Sequence, residues 1–83
     1  LIWRCHEDAT LLAEAEGLVE RLSQGPTAGL KLIKQALAAS WRHGLSEQLA
    51  LERALQREAG LTADFAEGVR AFMGKRQPSF KGQ

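Results

Sequence analysis

Cysteine is nearly missing from this chain. Cys5 stands alone, so no internal disulfide can form, and a lone thiol fits a reducing compartment such as the cytoplasm. Long apolar runs are missing too. None approaches the roughly 20 residues that span a bilayer, and Leu1-Ile2-Trp3 is interrupted by Arg4, His6 and Glu7 before it could serve as a signal peptide. An excess of charge of one sign is also lacking: eleven basic residues against ten acidic ones give a net charge of +1, which offers no composition-based case for nucleic acid. Metal-ligating residues are scarce. A structural zinc site needs four ligands at set spacings, whereas Cys5, His6 and His43 stand in unrelated contexts, so no metal site is expected. Cys5 and His6 do not make a nucleophile pair either, because neighbours on an extended segment point to opposite faces. There is no internal repeat and no low-complexity segment.

What remains is a chain of 83 residues, 45% of them hydrophobic, which is the composition of a folded protein. A chain this short buries only roughly 60–65% of its unfolded surface, so a core of its own is marginal, and chains of this size often need a staple, a metal or a partner. Leu1-Ile2-Trp3-Arg4-Cys5 is short, apolar and β-prone and reads as the end of a strand. Nothing else in the sequence reads as β, so that strand has no neighbour to pair with. The orphan strand and the start at Leu rather than Met both suggest a piece of a longer protein.

The rest reads as four helices, two long and two shorter. Asp8 is a suitable N-cap for the first, whose apolar face is Leu11, Leu12, Ala15, Leu18, Val19 and Leu22. Gln24-Gly25-Pro26 ends it, and Pro26 opens the second. That helix runs to about Arg42, with Leu30, Ile33, Leu37 and Trp41 along one stripe and Ala28, Ala36, Ala38 and Ala39 allowing close approach of another helix. His43-Gly44 breaks it. Ser46 is positioned to cap the third, with Glu47 in its first turn, Leu45, Leu49 and Leu55 inward, and Glu52, Arg53, Arg57 and Glu58 outward. Gly60 ends it. Thr62 caps the fourth, with Asp64 in its first turn and Phe65, Val69, Phe72 and Met73 as the apolar face; Gly74 and Pro78 stop it. The tail from Ser79 is polar except for Phe80. The fold class is therefore all-α, a four-helix segment with a short strand stub at its N-terminus.

The second and third helices have the connection length of a helix-turn-helix. A DNA reader, however, presents basic and amide side chains to the groove, whereas the third helix carries Glu47, Glu52 and Glu58, which repel phosphate. Lys75, Arg76 and Lys81 form a basic cluster near the C-terminus. Its plain reading is a solubilising tail with cations at a helix end; its functional reading is an anionic ligand, with Phe72 beside it to stack on a flat ring.

Asp64-Phe65-Ala66-Glu67-Gly68-Val69-Arg70-Ala71-Phe72-Met73-Gly74-Lys75-Arg76-Gln77-Pro78-Ser79-Phe80 has the form D-x-x-E-G-x-x-A-F-x-x-K-R-x-P-x-F. It resembles the C-terminal signature of the enoyl-CoA hydratase/isomerase (crotonase) superfamily. The similarity runs back through nearly the whole chain. Leu51-Glu52-Arg53 resembles that family's L-E helix, and Gly25-Pro26-Thr27-Ala28 with Lys34 and Leu37 resembles its G-P-x-A…K…L helix. Leu1 to Cys5 resembles its G-L-V-x-x-V strand without the leading Gly. Within the superfamily, Ile2 to Cys5 and Leu51 to Gly60 look most like the ring-epoxide isomerases of aerobic phenylacetate degradation.

The resemblance implies that residues 1–6 end a crotonase core and residues 7–83 form a helical segment for oligomerisation and for closing over coenzyme A. The N-terminal ββα spiral of such enzymes supplies the two backbone N–H groups that hold the thioester oxygen, and the acidic catalytic residues. None of that spiral lies in this chain, so no residue here is expected to be catalytic; Asp and Glu are placed on solvated helix faces. Carried over by position, Phe72 lies against the adenine of CoA and Lys75 approaches its phosphates, a pairing suited to a nucleotide with a 3′-phosphate. Gly74 departs from the larger residue usual there, which would loosen the helix before Lys75. The implied function is the C-terminal trimerisation segment of an acyl-CoA isomerase or hydratase, with acyl-CoA as substrate, no further cofactor, trimer or hexamer partners, and no membrane or nucleic acid. By itself the segment is expected to be inactive and to self-associate. The alternatives are an enoyl-CoA hydratase of fatty-acid β-oxidation and a free-standing helical interaction module.

Overall fold

The computed structural model describes residues 2–83. Four helices follow in order: α1 (Asp8–Ser23), α2 (Thr27–Ser40), α3 (Leu45–Gly60) and α4 (Ala63–Met73). The all-α expectation holds, but the lengths differ from the sequence reading: α3 matches α1 at 16 residues, and only α4, at 11, is short. The expected strand is not seen among the described residues, and its first member, Leu1, lies outside them. Ile2 to Glu7 form no ladder. A strand is stabilised by its neighbour's N–H and C=O groups, and the described residues offer no neighbour.

Three of the helix starts lie apart from their sequence-based positions. Glu7, not Asp8, is the N-cap of α1: its carbonyl accepts the N–H groups of Thr10 and Leu11 at 2.9 and 3.0 Å. Asp8 is then the first helical residue, where its charge favours the helix dipole. Pro26 is the N-cap of α2 rather than its first residue. Gly44 caps α3 in place of Ser46, because the Glu47 carboxylate reaches back and accepts the Gly44 N–H at 3.1 Å. Thr62 behaves as expected, its hydroxyl accepting the Phe65 N–H at 3.1 Å.

Helices α2 and α3 pack antiparallel. Leu32 is the side chain they bury most deeply, at 5% exposure, and the Gln48 amide donates across the pair to the Ala36 carbonyl at 3.1 Å. Helix α4 turns back over the end of α3. No residue of α1 is buried.

Together the helices form a slab, 44 × 38 × 18 Å, with a radius of gyration of 16.0 Å. A compact chain of this length would measure about 12 Å. The exposed surface is 7228 Å², whereas a folded monomer of this mass exposes about 4,900 Å². The stripes assigned inward from sequence are therefore uncovered. Leu11, Leu22, Leu37, Leu45 and Leu49 are all exposed, and Trp41, placed on the α2 stripe, is 91% exposed past its end. A domain buries such stripes by setting a second layer against the first. This slab is one layer.

Candidate CoA-binding helix and C-terminal strap

Helix α4 has two working faces. One carries Phe65, Val69, Phe72 and Met73, all exposed. They line an open apolar groove of about 440 Å³ together with Pro26 and Gly29 at the start of α2, Ala59 and Thr62 at the α3–α4 corner, and Asp64, Gly68 and Phe80. The other face carries Asp64, Glu67, Gly68 and Ala71, and it is covered. Ala71 is 1% exposed and Asp64 3%.

The cover is the chain's own C-terminus. Residues 77–83 double back along α4 as a strap. The Asp64 carboxylate accepts the N–H of Lys81 at 2.7 Å through one oxygen and that of Gly82 at 2.8 Å through the other. The Asp64 N–H donates to the Gln83 carbonyl at 2.9 Å. One turn along, Glu67 takes two bonds from the Arg76 guanidinium, at 2.6 and 3.0 Å, and the Ser79 N–H at 2.9 Å. Arg70 lies 3.7 Å from the same carboxylate. The Arg76 bonds above all, and then the Ser79 N–H, lower the Glu67 carboxyl from 4.5 to about 2. Phe80 lies over Gly68. At Gly82, φ is +75°, and an added Cβ would stand 2.5 Å from the Thr27 hydroxyl, so only glycine fits where the strap meets α2.

These bonds correct one sequence-based assignment. Asp64 was expected on a solvated face, and it is the most buried charged residue described. The sequence held a signal for it: the Asp and Glu of D-x-x-E stand three apart, on one side of a helix, ahead of a tail with free backbone donors. Both carboxylates accept strap N–H groups, and Glu67 a guanidinium as well, which makes them holders of the strap.

Lys75 and Phe72, the two expected CoA contacts, are brought to the same end of α4. The helix closes in a Schellman motif: the Arg76 N–H donates to the Ala71 carbonyl at 3.0 Å and the Lys75 N–H to the Phe72 carbonyl at 3.2 Å. The left-handed position of that motif usually holds glycine. Here it holds Lys75, with φ +50°, while Gly74 one residue earlier keeps an ordinary φ of −82°. A left-handed non-glycine residue costs roughly 1–2 kcal/mol. Phe72 is 82% exposed, with its carbonyl fixed by that turn. Arg76 is paired with Glu67, whereas Lys75 meets no carboxylate within salt-bridge distance among the described residues. The end of α4 thus carries an exposed aromatic ring and, three residues on, an ammonium with no carboxylate partner among the described residues, which suits binding rather than bond-making.

Among the described residues no His, Cys, Asp and Glu side chains gather to hold a metal ion, and no helix is long and apolar enough to cross a membrane.

The fold is thus a single layer of amphipathic helices with exposed apolar stripes, closed by a carboxylate-held tail. The sequence model described as enoyl-CoA hydratase/isomerase matches residues 1–83. The chain belongs to that family. It is 47% identical over 83 residues to the 1,2-epoxyphenylacetyl-CoA isomerase of Escherichia coli strain K12, a match covering all of this chain and 32% of that protein. It is 34% identical over 83 residues to the trans-2-decenoyl-[acyl-carrier-protein] isomerase of Streptococcus mutans, again covering all of this chain and 32% of the relative. The helices superpose on a crystal structure of an enoyl-CoA hydratase from Geobacillus kaustophilus with a TM-score of 0.86 and 28% identity, covering 90% of this chain and 28% of that one. The chain thus spans about a third of the length of the curated relatives it matches.

Proposed function

We propose that this chain is the C-terminal trimerisation and CoA-lid segment of a crotonase-fold acyl-CoA isomerase or hydratase, and within that class of a 1,2-epoxyphenylacetyl-CoA isomerase of phenylacetate catabolism. The carrying observation is that the uncovered layer matches the family over its whole length. The subfamily reading is supported by the 47% identity to the Escherichia coli isomerase. On this reading the exposed stripes of α1 to α3 seat on the rest of the enzyme and on neighbouring subunits. Phe72 stacks on the adenine, Lys75 pairs with the CoA phosphates, and the catalytic acids and the thioester-holding N–H pair come from residues outside this chain. The parent enzyme needs no cofactor besides its acyl-CoA substrate and works in the cytoplasm. The segment alone turns over no acyl-CoA.

The test uses the full-length enzyme that carries this segment, with Phe72→Ala and Lys75→Ala combined. The KM for an acyl-CoA is expected to rise about 30-fold or more, from loss of a stacked ring and a charge-assisted contact, with kcat and oligomer mass little changed. An unchanged KM with the association intact would favour a free-standing helical interaction module instead. Turnover of an epoxyphenylacetyl-CoA in preference to a straight-chain enoyl-CoA supports the isomerase, and the reverse preference supports a β-oxidation hydratase.

A further inference from the structure

The Lys75 backbone is held in a conformation that Gly74, one residue away, would adopt at less cost. It is held there from both sides. Before it, α4 is anchored by its own hydrogen bonds. After it, Arg76 is fixed by two bonds to Glu67, Ser79 by a third to the same carboxylate, and Lys81 and Gly82 by Asp64. The side chain of Glu67 is only 15% exposed although it stands on a thin outer layer. None of these contacts involves Lys75 itself, yet together they fix the only freedom its turn has, the direction in which the chain leaves the helix. Glu67 also neutralises Arg76, so that of this adjacent pair only Lys75 keeps an uncompensated charge.

We infer that Glu67 and Asp64 are positioning residues for ligand binding: by clamping the strap onto α4 they hold Lys75 in its left-handed turn beside Phe72, and by engaging Arg76 they assign recognition of a phosphorylated carrier to Lys75. This rests on the reading of Phe72 and Lys75 as CoA contacts. It makes Glu67 a determinant of carrier affinity although it touches no ligand. It also gives the strap a purpose beyond covering Ala71.

The experiment measures dissociation constants of free CoA and of 3′-dephospho-CoA by calorimetry on the full-length enzyme, for the native protein, Glu67→Gln, Lys75→Ala and both changes together. Glu67→Gln is expected to weaken CoA about tenfold and dephospho-CoA much less, the difference being the share of a charge-assisted contact to the 3′-phosphate. In the Lys75→Ala background the same change is expected to do nothing further, because two residues acting through one contact are not additive. If Glu67→Gln leaves CoA affinity unchanged, or weakens both ligands equally with and without Lys75, the inference is overturned and the CoA reading stands. If Lys75→Ala itself leaves CoA affinity unchanged, the CoA reading falls and the inference with it. Should Glu67→Gln fail to fold, Ser79→Pro removes a single strap N–H while keeping every charge, and is read by the same four-way comparison.

Discussion

The guanidinium of Arg76 closes on the carboxylate of Glu67, nine residues behind it, through two hydrogen bonds of 2.6 and 3.0 Å. The pairing turns the end of α4 through a hairpin and returns the chain along its own helix. Its acid dependence follows from the depression of the Glu67 carboxyl to about 2. A group whose folded pKa is depressed contributes stability that is fully present above its unfolded value, near 4.5, and lost as the pH falls through the folded one. The strap should therefore stay closed at pH 4, where an ordinary glutamate is largely protonated, and open only towards pH 2. Carbon-13 shifts of the Glu67 carboxyl, read with the Ser79 amide signal, check this. A midpoint above 4 would mean that the pair does not form in solution.

Asp64 gives a second prediction, of stability rather than pH. It is 3% exposed and holds two strap N–H groups. Asp64→Ala in the full-length enzyme leaves both without their acceptor, and the expected loss is about 2 kcal/mol, since strap amides freed to reach water recover part of the cost. Asp64→Asn, which keeps one oxygen, should lose roughly half as much. Urea unfolding gives the size, and faster exchange of the Lys81 and Gly82 amides gives the location. A loss in the melt without that local exchange would place the effect elsewhere.

Lys75→Gly separates strain from function. Glycine adopts a φ of +50° freely, so the substitution should stabilise the enzyme by about 1 kcal/mol. Removing the ammonium should, on the proposed reading, weaken CoA at the same time. The two effects have opposite signs, and a thermal melt paired with a CoA titration distinguishes them. If stability falls, the left-handed turn is not the conformation in solution.

How much of this was visible in the sequence depends on the range of the interaction. Thr62 announces its cap because the bond to Phe65 is made within three residues. The four helices and the apolar face of α4 follow from spacing alone. Ser46 misleads because Glu47 competes for the same helix end and wins through a bond to Gly44. Asp64 misleads for a deeper reason. In a helix wheel it is a polar residue of the first turn, and only the return of residues 81–83, some 18 positions later, converts it into a buried acceptor. The strand expected at Leu1 to Cys5 rests on residues that would have to pair beyond this chain. Phe72 beside a basic cluster is visible in local pattern, but only resemblance selects Lys75 over Arg76 and Lys81, since neither exposure nor the turn at Lys75 is written there.

The last prediction concerns the uncovered face. The chain exposes 7228 Å², about 2,300 Å² more than a folded monomer of its mass, and much of that excess lies in leucine, isoleucine, valine and aromatic side chains along the slab. An excess of this size matches the area buried in an obligate interface. Covering such a surface is favoured by roughly 25 cal/mol per Å² of apolar area removed from water. Residues 1–83 produced alone should therefore associate, with an apparent mass that rises with concentration in sedimentation equilibrium. Charged substitutions should interrupt this association if the stripes drive it. Leu37→Glu with Leu49→Glu, both on exposed positions, should lower the mass towards that of a monomer while leaving helicity largely intact. A mass of one chain at every concentration would mean that the layer closes on itself in solution, and the case for a covering partner, subunit or core, would be lost.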